Sequence, residues 1–184
     1  MRLSEFEECR SQLRFGPAGR LSLDGQEMIL LPRHFFRYIL REVRTVVGDE
    51  SYHAIFQVAG REGAIEFCRA FRKRHNSTPQ EAVEGYLAQV SLRGWGTLTP
   101  LSLGRDQVEI GIEGSALCAE GDLPDGHAMW EGVAQGLLIF LRAESRLAHS
   151  GVPYSNILDE QGRTGASSVR ITARWTFEDK SPPC

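Results

Sequence analysis

The stretch that decides the fold is MILLPRHFFRYILREVRTVVGDESYHAIFQVAGREGAIEFCRAFRKRH, residues 28–75, which predicts a short strand followed by two long amphipathic helices. Apolar residues recur every three or four positions, the spacing of one helical face. In the first helix these are Phe35, Phe36, Ile39, Leu40, Val43 and Val47, and in the second Tyr52, Ile55, Phe56, Ala59, Gly63, Phe67 and Phe71. Pro32 suits a first helical turn, and we expect Gly48 to end one helix and Asp49 to cap the next.

Glycines inside the predicted helices indicate close approaches. Gly60 and Gly63 each cost a helix roughly 1 kcal/mol relative to alanine. That cost is acceptable where another backbone or a ligand comes close to the segment AGREGA. Gly132 and Gly136, one turn apart in a later helix, likewise predict close packing against a helix or a sheet.

Outward from this stretch, the pattern on the N-terminal side predicts an arm and a hairpin. Residues 1–15 have the composition of a short amphipathic helix or arm. Residues 20–31 predict a β-hairpin, because Asp24-Gly25 is a favoured turn pair between two apolar runs.

On the C-terminal side the period changes from near four to two. A third helix is predicted to begin with Ser77 or Thr78 as its N-cap and Pro79 in its first turn. Two strands follow, joined at 104–106, and Pro100 predicts an edge position or a bulge in the first of them. A fourth helix at 126–147 and a last strand with the sequence SVRITARWTF complete the pattern.

The predicted order of elements is β-β-α-α-α-β-β-α-β-β. Strands joined by hairpins imply an antiparallel sheet with helices packed on one side, which is an α+β fold. We expect an arm or short helix at residues 1–19, a single small-molecule-binding domain at 20–178 and a frayed tail at 179–184.

Composition and charge exclude several classes of protein. The 184 residues are 41% hydrophobic and 24% charged, ordinary values for one globular domain. The longest apolar run, LLIFL at 137–141, is far shorter than the roughly 20 residues that span a bilayer. The acidic opening MRLSEFEECR is not a secretory signal, so a cytoplasmic location is expected. A net charge of −3 and the absence of nucleic-acid-binding motifs argue against nucleic acid as a partner.

The search for catalytic and cofactor motifs finds none. The chain has no GxGxxG after a strand, no Walker loop, no HExxH and no GxSxG, so we expect no cofactor, no catalytic residues and a non-catalytic role. A Cys68–His53 pair formed in space stays open. The basic residues of 28–75 have two open interpretations: a solvated helical face, or a site for an anionic ligand or partner.

Aromatic rings are contributed by several predicted elements. They are Phe35, Phe36, Tyr52, Phe56, Phe67, Trp95 and Trp130. In an α+β layer such rings can enclose a cavity for a flat apolar ligand, or they can fill an ordinary core.

Four segments together resemble a known family: LLPRHFFRYILREV, the AGREGA helix, the RGWG strand start and EGVAQGLLIFL. They resemble the 4-vinyl-reductase-like, or hydrocarbon-binding, domain family over residues 20–178. That family includes the ligand-sensing domains of phenol- and xylene-responsive transcriptional activators and a bacteriochlorophyll biosynthesis accessory protein. It shares a fold with heme-based nitric-oxide sensors and Golgi transport-particle subunits. The resemblance implies an α+β domain that binds small aromatic or other apolar ligands, usually as a dimer.

The chain departs from that family at its zinc-binding segment. Where many members have a glutamate and two cysteines, this chain has Leu158, Gln161 and Val169. Cys118 matches a further ligand position, but alone it cannot hold zinc. We therefore expect no metal, and the lack of a heme-ligating histidine on a recognisable helix argues against heme.

The leading hypothesis is a binding and sensing module for a small apolar, aromatic ligand, acting through a homodimer or a separate protein partner. Tyr52, Phe56, Trp95 and Trp130 are the predicted ring contacts, and His53 is predicted to hydrogen-bond a ligand hydroxyl. Two alternatives are an accessory protein or reductase in tetrapyrrole or aromatic-compound metabolism, and a scaffold subunit of the transport-particle type.

Overall fold

The computed structural model describes residues 13–117, 127–144, 152–161 and 167–176. Within them the predicted α+β class and the predicted order of elements are confirmed, with one strand added at the N-terminal side. The chain forms two compact units, residues 1–40 and 41–184. No helix in the described ranges has both the length and the apolar character that crossing a bilayer requires.

The first unit contains a three-stranded antiparallel sheet. Its strands, in spatial order, are β1 (Leu13–Phe15), β2 (Leu21–Leu23) and β3 (Gln26–Met28). The predicted hairpin turn is confirmed, since Asp24 and Gly25 have φ angles of 48° and 69°, as a type I′ turn requires. β1 lies within the predicted N-terminal arm, of which residues 1–12 fall outside the described ranges.

The second strand of that hairpin is shorter than predicted. β3 ends at Met28, which pairs with Leu21 at the first position of β2. Residues beyond Met28 therefore have no β2 residue opposite them, and Ile29 and Leu30 are 81% and 71% exposed. The prediction of a strand over 28–31 was wrong for this reason.

Helix α1, Arg33–Val47, begins in the first unit and ends in the second. Its boundaries match the prediction, and Gly48 follows with a φ of 80°. Of its fifteen residues only Leu40 is buried, while Phe35 and Val46 are 51% and 82% exposed. The apolar period of the sequence therefore predicted the helix correctly, but most of the predicted apolar face is not in the core.

The second unit combines three helices and a four-stranded antiparallel sheet. The helices are α2 (Asp49–His75), α3 (Pro79–Leu92) and α4 (Ala128–Ala143). The strands are β4 (Thr97–Leu103), β5 (Gln107–Glu113), β6 (Val152–Gln161) and β7 (Ser167–Thr176), in the spatial order β4-β5-β7-β6. The last predicted helix is thus shorter than 126–147, and residues 145–147 lie outside the described ranges.

The sheet buries one face beneath the helices. Val108, Ile110 and Ile112 of β5 are at most 1% exposed, and the residues between them are less buried. α4 contacts β5, β6 and β7, and α3 contacts β4. Pro100 lies on the edge strand β4, whose register shifts between Pro100 and Ser102, so both predicted consequences of this proline are present.

A capping box marks the start of α3, whereas α2 begins without a side-chain cap. Thr78, not Ser77, caps α3: its hydroxyl accepts from the Glu81 amide, and the Glu81 carboxylate accepts from the Thr78 amide. For α2 the N-cap is Gly48, and Asp49 is the first helical residue rather than the predicted cap. The Arg44 guanidinium, 2.5 Å from the Asp49 carboxylate, lowers the pKa of that carboxyl below its usual range.

Helices α2 and α4 run in the same direction and touch through their backbones. A Cβ added to Gly60, Gly132 or Gly136 would overlap a backbone carbonyl oxygen of the other helix. The close approach predicted for these three glycines is therefore confirmed. At Gly63, by contrast, a Cβ would meet no atom of the described residues within 4 Å, so within them the close backbone approach in AGREGA is at Gly60.

Candidate functional site

Two of the predicted ring contacts, Trp95 and Trp130, meet edge to face. Their ring centroids are 6.5 Å apart and their planes are 89° to each other. Trp130 is 1% exposed, and its indole N–H donates to the Ser115 hydroxyl at 3.0 Å. Trp95 follows α3 and is half-buried, and its carbonyl accepts from the Ala116 amide at 2.9 Å. One ring pair is thus held by three segments: the loop after α3, the residues that follow β5, and the first turn of α4.

The other two rings, Tyr52 and Phe56, lie one turn apart on α2. Their centroids are 4.6 Å apart at an interplanar angle of 46°. Tyr52 is 2% exposed, whereas Phe56 is half-buried. In this pair the Tyr52 ring is buried, and the Phe56 ring that packs against it is accessible to solvent.

The predicted polar contact, His53, is part of a cluster that bridges α2 and α4. Its Nε2 lies 3.1 Å from the Glu131 Oε2, and the Gln57 amide nitrogen donates to the same oxygen at 3.1 Å. The His53 side chain is 43% exposed and that of Glu131 is 14% exposed. Glu131 was not predicted, because it is 78 residues from His53 and no local pattern links them.

These groups lie around the N-terminal ends of α2 and α4 but do not all face one way. Trp130 and Glu131 are consecutive on α4, so their side chains leave the helix about 100° apart. The structure brings Tyr52 next to Phe56 on α2, and Trp95 next to Trp130 at the start of α4, as two separate ring pairs. His53 lies on the same helix as the first pair, and it contacts Glu131, the residue that follows Trp130.

Two further rings from the predicted set have different surroundings. Phe67 packs into the contact between α2 and α3, with its centroid 5.2 Å from that of Tyr86 and 5.9 Å from that of Phe71. Phe67 is 7% exposed and is a core residue. Phe35 belongs to the first unit and is 51% exposed.

The Cys68–His53 pair that the sequence left open does not form. The two residues are fifteen positions apart on the continuous helix α2, a separation of about 22 Å. Cys68 is fully buried, and its thiol donates to the Ala82 carbonyl at 3.8 Å. Burial raises the pKa of this thiol to about 12, so it is not a nucleophile at neutral pH.

Several of the basic residues in 28–75 are neutralised by carboxylates. Ion pairs join Arg41 to Glu42, Arg44 to Asp49, Arg61 to Glu62 and Arg72 to Glu144. At least four of the nine Lys and Arg residues in this stretch are thus matched, which favours the solvated-face interpretation over an anion site.

A separate concavity lies over β4, β5 and β7 of the four-stranded sheet, beginning at the edge strand β4. It has a volume of about 200 Å³, and its lining includes Thr99, Leu101, Gly111, Glu113 and Arg170. Arg170 also pairs with Glu109 at 3.4 Å. None of the residues predicted to contact ligand line this groove, so it is an alternative location for a small molecule.

The positions that replace the zinc ligands lie on the last two strands. In the β6–β7 pairing Leu158 is opposite Arg170, Gln161 is opposite Ser167, and Val169 is opposite Asp159. Cys118 falls outside the described ranges. That the chain holds no zinc stays a prediction from the residue types.

Comparison with known proteins relates the chain to one uncharacterised family and to several solved structures. A family described as a domain of unknown function, DUF5943, matches residues 16–101. No curated protein matches the chain. The phenol-responsive sensory domain of the transcription activator PoxR, solved with phenol, superposes with a TM-score of 0.70 at 18% identity, over 96% of this chain and 92% of that one.

Two other structures match less well. An H-NOX structure concerned with heme distortion has a TM-score of 0.50 at 13% identity, covering 85% of this chain and 80% of that one. Trafficking protein particle complex subunit 3 from Naegleria fowleri, covalently bound to palmitic acid, has a TM-score of 0.47 at 10% identity, covering 78% and 92%. At 18% identity, the likeness to the PoxR sensory domain shows a shared fold over nearly the whole chain and nothing further.

Proposed function

We propose that this chain is a non-catalytic binding and sensing module for a small apolar, aromatic ligand. The ligand contacts are the two ring pairs, Tyr52 with Phe56 and Trp95 with Trp130, together with His53. The proposal also places the chain in the 4-vinyl-reductase-like family over residues 20–178, in the cytoplasm, and working as a homodimer or with a separate protein partner.

The observation that carries the proposal is the surroundings of Phe56. Its half-buried ring lies against the buried Tyr52 ring and one turn from the half-exposed His53 imidazole. An accessible aromatic surface beside a few polar groups is what a small aromatic ligand requires. The fold supports the same proposal, since the PoxR domain with this fold is described as phenol-responsive.

The test is a thermal-shift screen with phenol, toluene, fatty acids and porphyrins. A ligand at 100 times its dissociation constant stabilises the folded state by about 2.7 kcal/mol. At roughly 2–4 °C per kcal/mol for a chain of this size, that is a shift of about 5–10 °C. A small aromatic should give such a shift, and the absence of any aromatic-induced shift would refute the proposal.

Two variants locate the ligand. Phe56→Ala removes the accessible ring and should abolish the shift. Leu101→Ala changes the groove beside the sheet edge and should leave the shift intact. If instead Leu101→Ala abolished the shift and Phe56→Ala left it intact, the ligand would bind in that groove and not at the ring pairs.

The homodimer is tested separately by sedimentation equilibrium of the purified chain, with and without the aromatic that shifts the melting temperature. A dimer at micromolar concentration supports the proposal. A monomer under both conditions contradicts the homodimer and leaves only a separate protein partner.

A further inference from the structure

The polar end of the proposed site is organised by the Glu131 carboxylate. One of its oxygens, Oε2, lies 3.1 Å from the His53 Nε2 and accepts a hydrogen bond of the same length from the Gln57 amide nitrogen. The side chain is 14% exposed, so this carboxylate is largely withdrawn from water. It lies in the first turn of α4, where the helix dipole favours a negative charge.

The chemistry of this cluster fixes which atom of His53 carries hydrogen. A carboxylate can only accept hydrogen bonds, and the Gln57 amide already donates to this oxygen. The nitrogen facing it, Nε2, must therefore be the protonated one. In the neutral imidazole the other nitrogen, Nδ1, is then an acceptor with a lone pair.

The cluster consequently offers two acceptor atoms for further bonds. They are the His53 Nδ1 and the second carboxylate oxygen of Glu131, and the described part of the chain provides no hydrogen bond to either. A ligand group can hydrogen-bond to either of these atoms only by donating a hydrogen. An incoming carboxylate has no hydrogen to give, and it would also bring a second negative charge next to a poorly hydrated one.

We infer that Glu131 is a specificity-determining residue, which makes the site select aromatic ligands that carry a hydrogen-bond donor and reject aromatic anions. This inference rests on the proposed function. The ligand class is a neutral aromatic with an O–H or N–H group, such as a phenol or an aromatic amine. His53 then takes part as an acceptor, oriented by Glu131, rather than as a donor.

The experiment compares four probes of similar size by calorimetric titration at pH 7.5: phenol, aniline, toluene and benzoate. Wild-type protein should bind phenol and aniline at least about tenfold more tightly than benzoate, a difference of ~1.4 kcal/mol. In Glu131→Gln the charge is lost and an N–H donor is gained, so the phenol-to-benzoate ratio should fall by about tenfold or more.

A matched control removes the charge of a carboxylate outside the cluster, that of Glu62 on α2. Glu62 is exposed and pairs with Arg61 at 3.0 Å, so Glu62→Gln makes the same charge change away from the cluster. It should leave the ratio unchanged. Melting temperatures of both variants without ligand check that each is folded.

The outcomes separate this inference from the function on which it rests. If no aromatic probe binds wild-type protein, the proposed function fails and the inference fails with it. If phenol and benzoate bind equally, or if Glu131→Gln and Glu62→Gln alter the ratio alike, the proposed function survives and the role of Glu131 is overturned.

Discussion

Replacing Gly132 by alanine should destabilise the fold, whereas replacing Gly63 by alanine should stabilise it. Both residues lie inside long helices, and neither has a positive φ. The chemical change is the same at both positions. Only the space beyond the backbone differs, so the pair isolates the contact between α2 and α4.

The expected magnitudes follow from the geometry. A Cβ on Gly132 would lie 2.7 Å from the Gln57 carbonyl carbon and 3.0 Å from the Arg61 nitrogen. Carbon atoms pack at about 3.5–4.0 Å, so the helices would have to separate by roughly 1 Å. Overpacking costs about 1–3 kcal/mol, here at the upper end because a backbone cannot rotate away. Against a helix-propensity gain of roughly 1 kcal/mol, the net loss is about 2 kcal/mol.

Gly63→Ala gains the same helix propensity with no steric cost, because no atom of the described residues lies within 4 Å of the added carbon. It should add up to about 1 kcal/mol to the free energy of unfolding. With a urea m-value of about 2 kcal/mol/M, the midpoints of the two variants should differ by roughly 1.5 M. Urea unfolding followed by far-UV circular dichroism measures this. Equal midpoints for the two variants would refute the account of α2–α4 packing.

Three further predictions concern single contacts in the second unit. Thr78→Ala removes the cap of α3 and should lower the free energy of unfolding by about 1 kcal/mol in urea titrations. Ser115→Ala deprives the buried Trp130 indole N–H of its acceptor and should cost about 1–3 kcal/mol in the same assay, with a change in tryptophan fluorescence. The depressed pKa of Asp49 means that its ion pair stabilises the fold above pH 3.8, the ordinary value, and that this contribution is lost as the pH falls further. Stability measured from pH 7 to pH 2 should therefore fall more steeply for wild type than for Asp49→Asn.

Each of these has an internal control. Ser77→Ala should be neutral beside Thr78→Ala, because the Ser77 hydroxyl is buried with no hydrogen-bond partner in the described part of the chain. A loss equal to that of Thr78→Ala would contradict the capping assignment. For Ser115, substitution by Thr keeps the acceptor oxygen and should restore most of the stability. Parallel pH profiles for wild type and Asp49→Asn would rule out the ion-pair contribution.

Much of the secondary structure followed from local rules in the sequence. The three- and four-residue period between Phe35 and Phe71 placed α1 and α2, and the segment around Thr78 placed the start of α3. Asp24-Gly25 and Pro100 predicted a turn and a bulge, because both depend on the φ angles or the missing N–H of the residue itself. These features involve neighbours in the chain, which a pattern records directly.

The candidate site could be predicted from the sequence only in part. The rings of Trp95 and Trp130 were predicted, but not their edge-to-face contact or the Ser115 hydroxyl between their elements. Glu131 was not predicted, although its carboxylate lies within hydrogen-bond distance of both His53 and Gln57. A carboxylate in a helical first turn is ordinary in sequence terms, and nothing local distinguishes it.

The sequence by itself determined the order of the elements, the Asp24-Gly25 turn, the start of α3 and which residues carry rings. The tertiary structure alone decided which of those residues meet. It placed Gly132 against Gln57, whereas no described residue lies within 4 Å of a Cβ on Gly63, and it buried Leu40 while leaving Phe35 exposed. The physical reason is that propensity and periodicity act within a few residues along the chain. Burial and hydrogen bonding across helices depend instead on how whole elements pack, and residues 53 and 131 become neighbours only after α2 and α4 have come together.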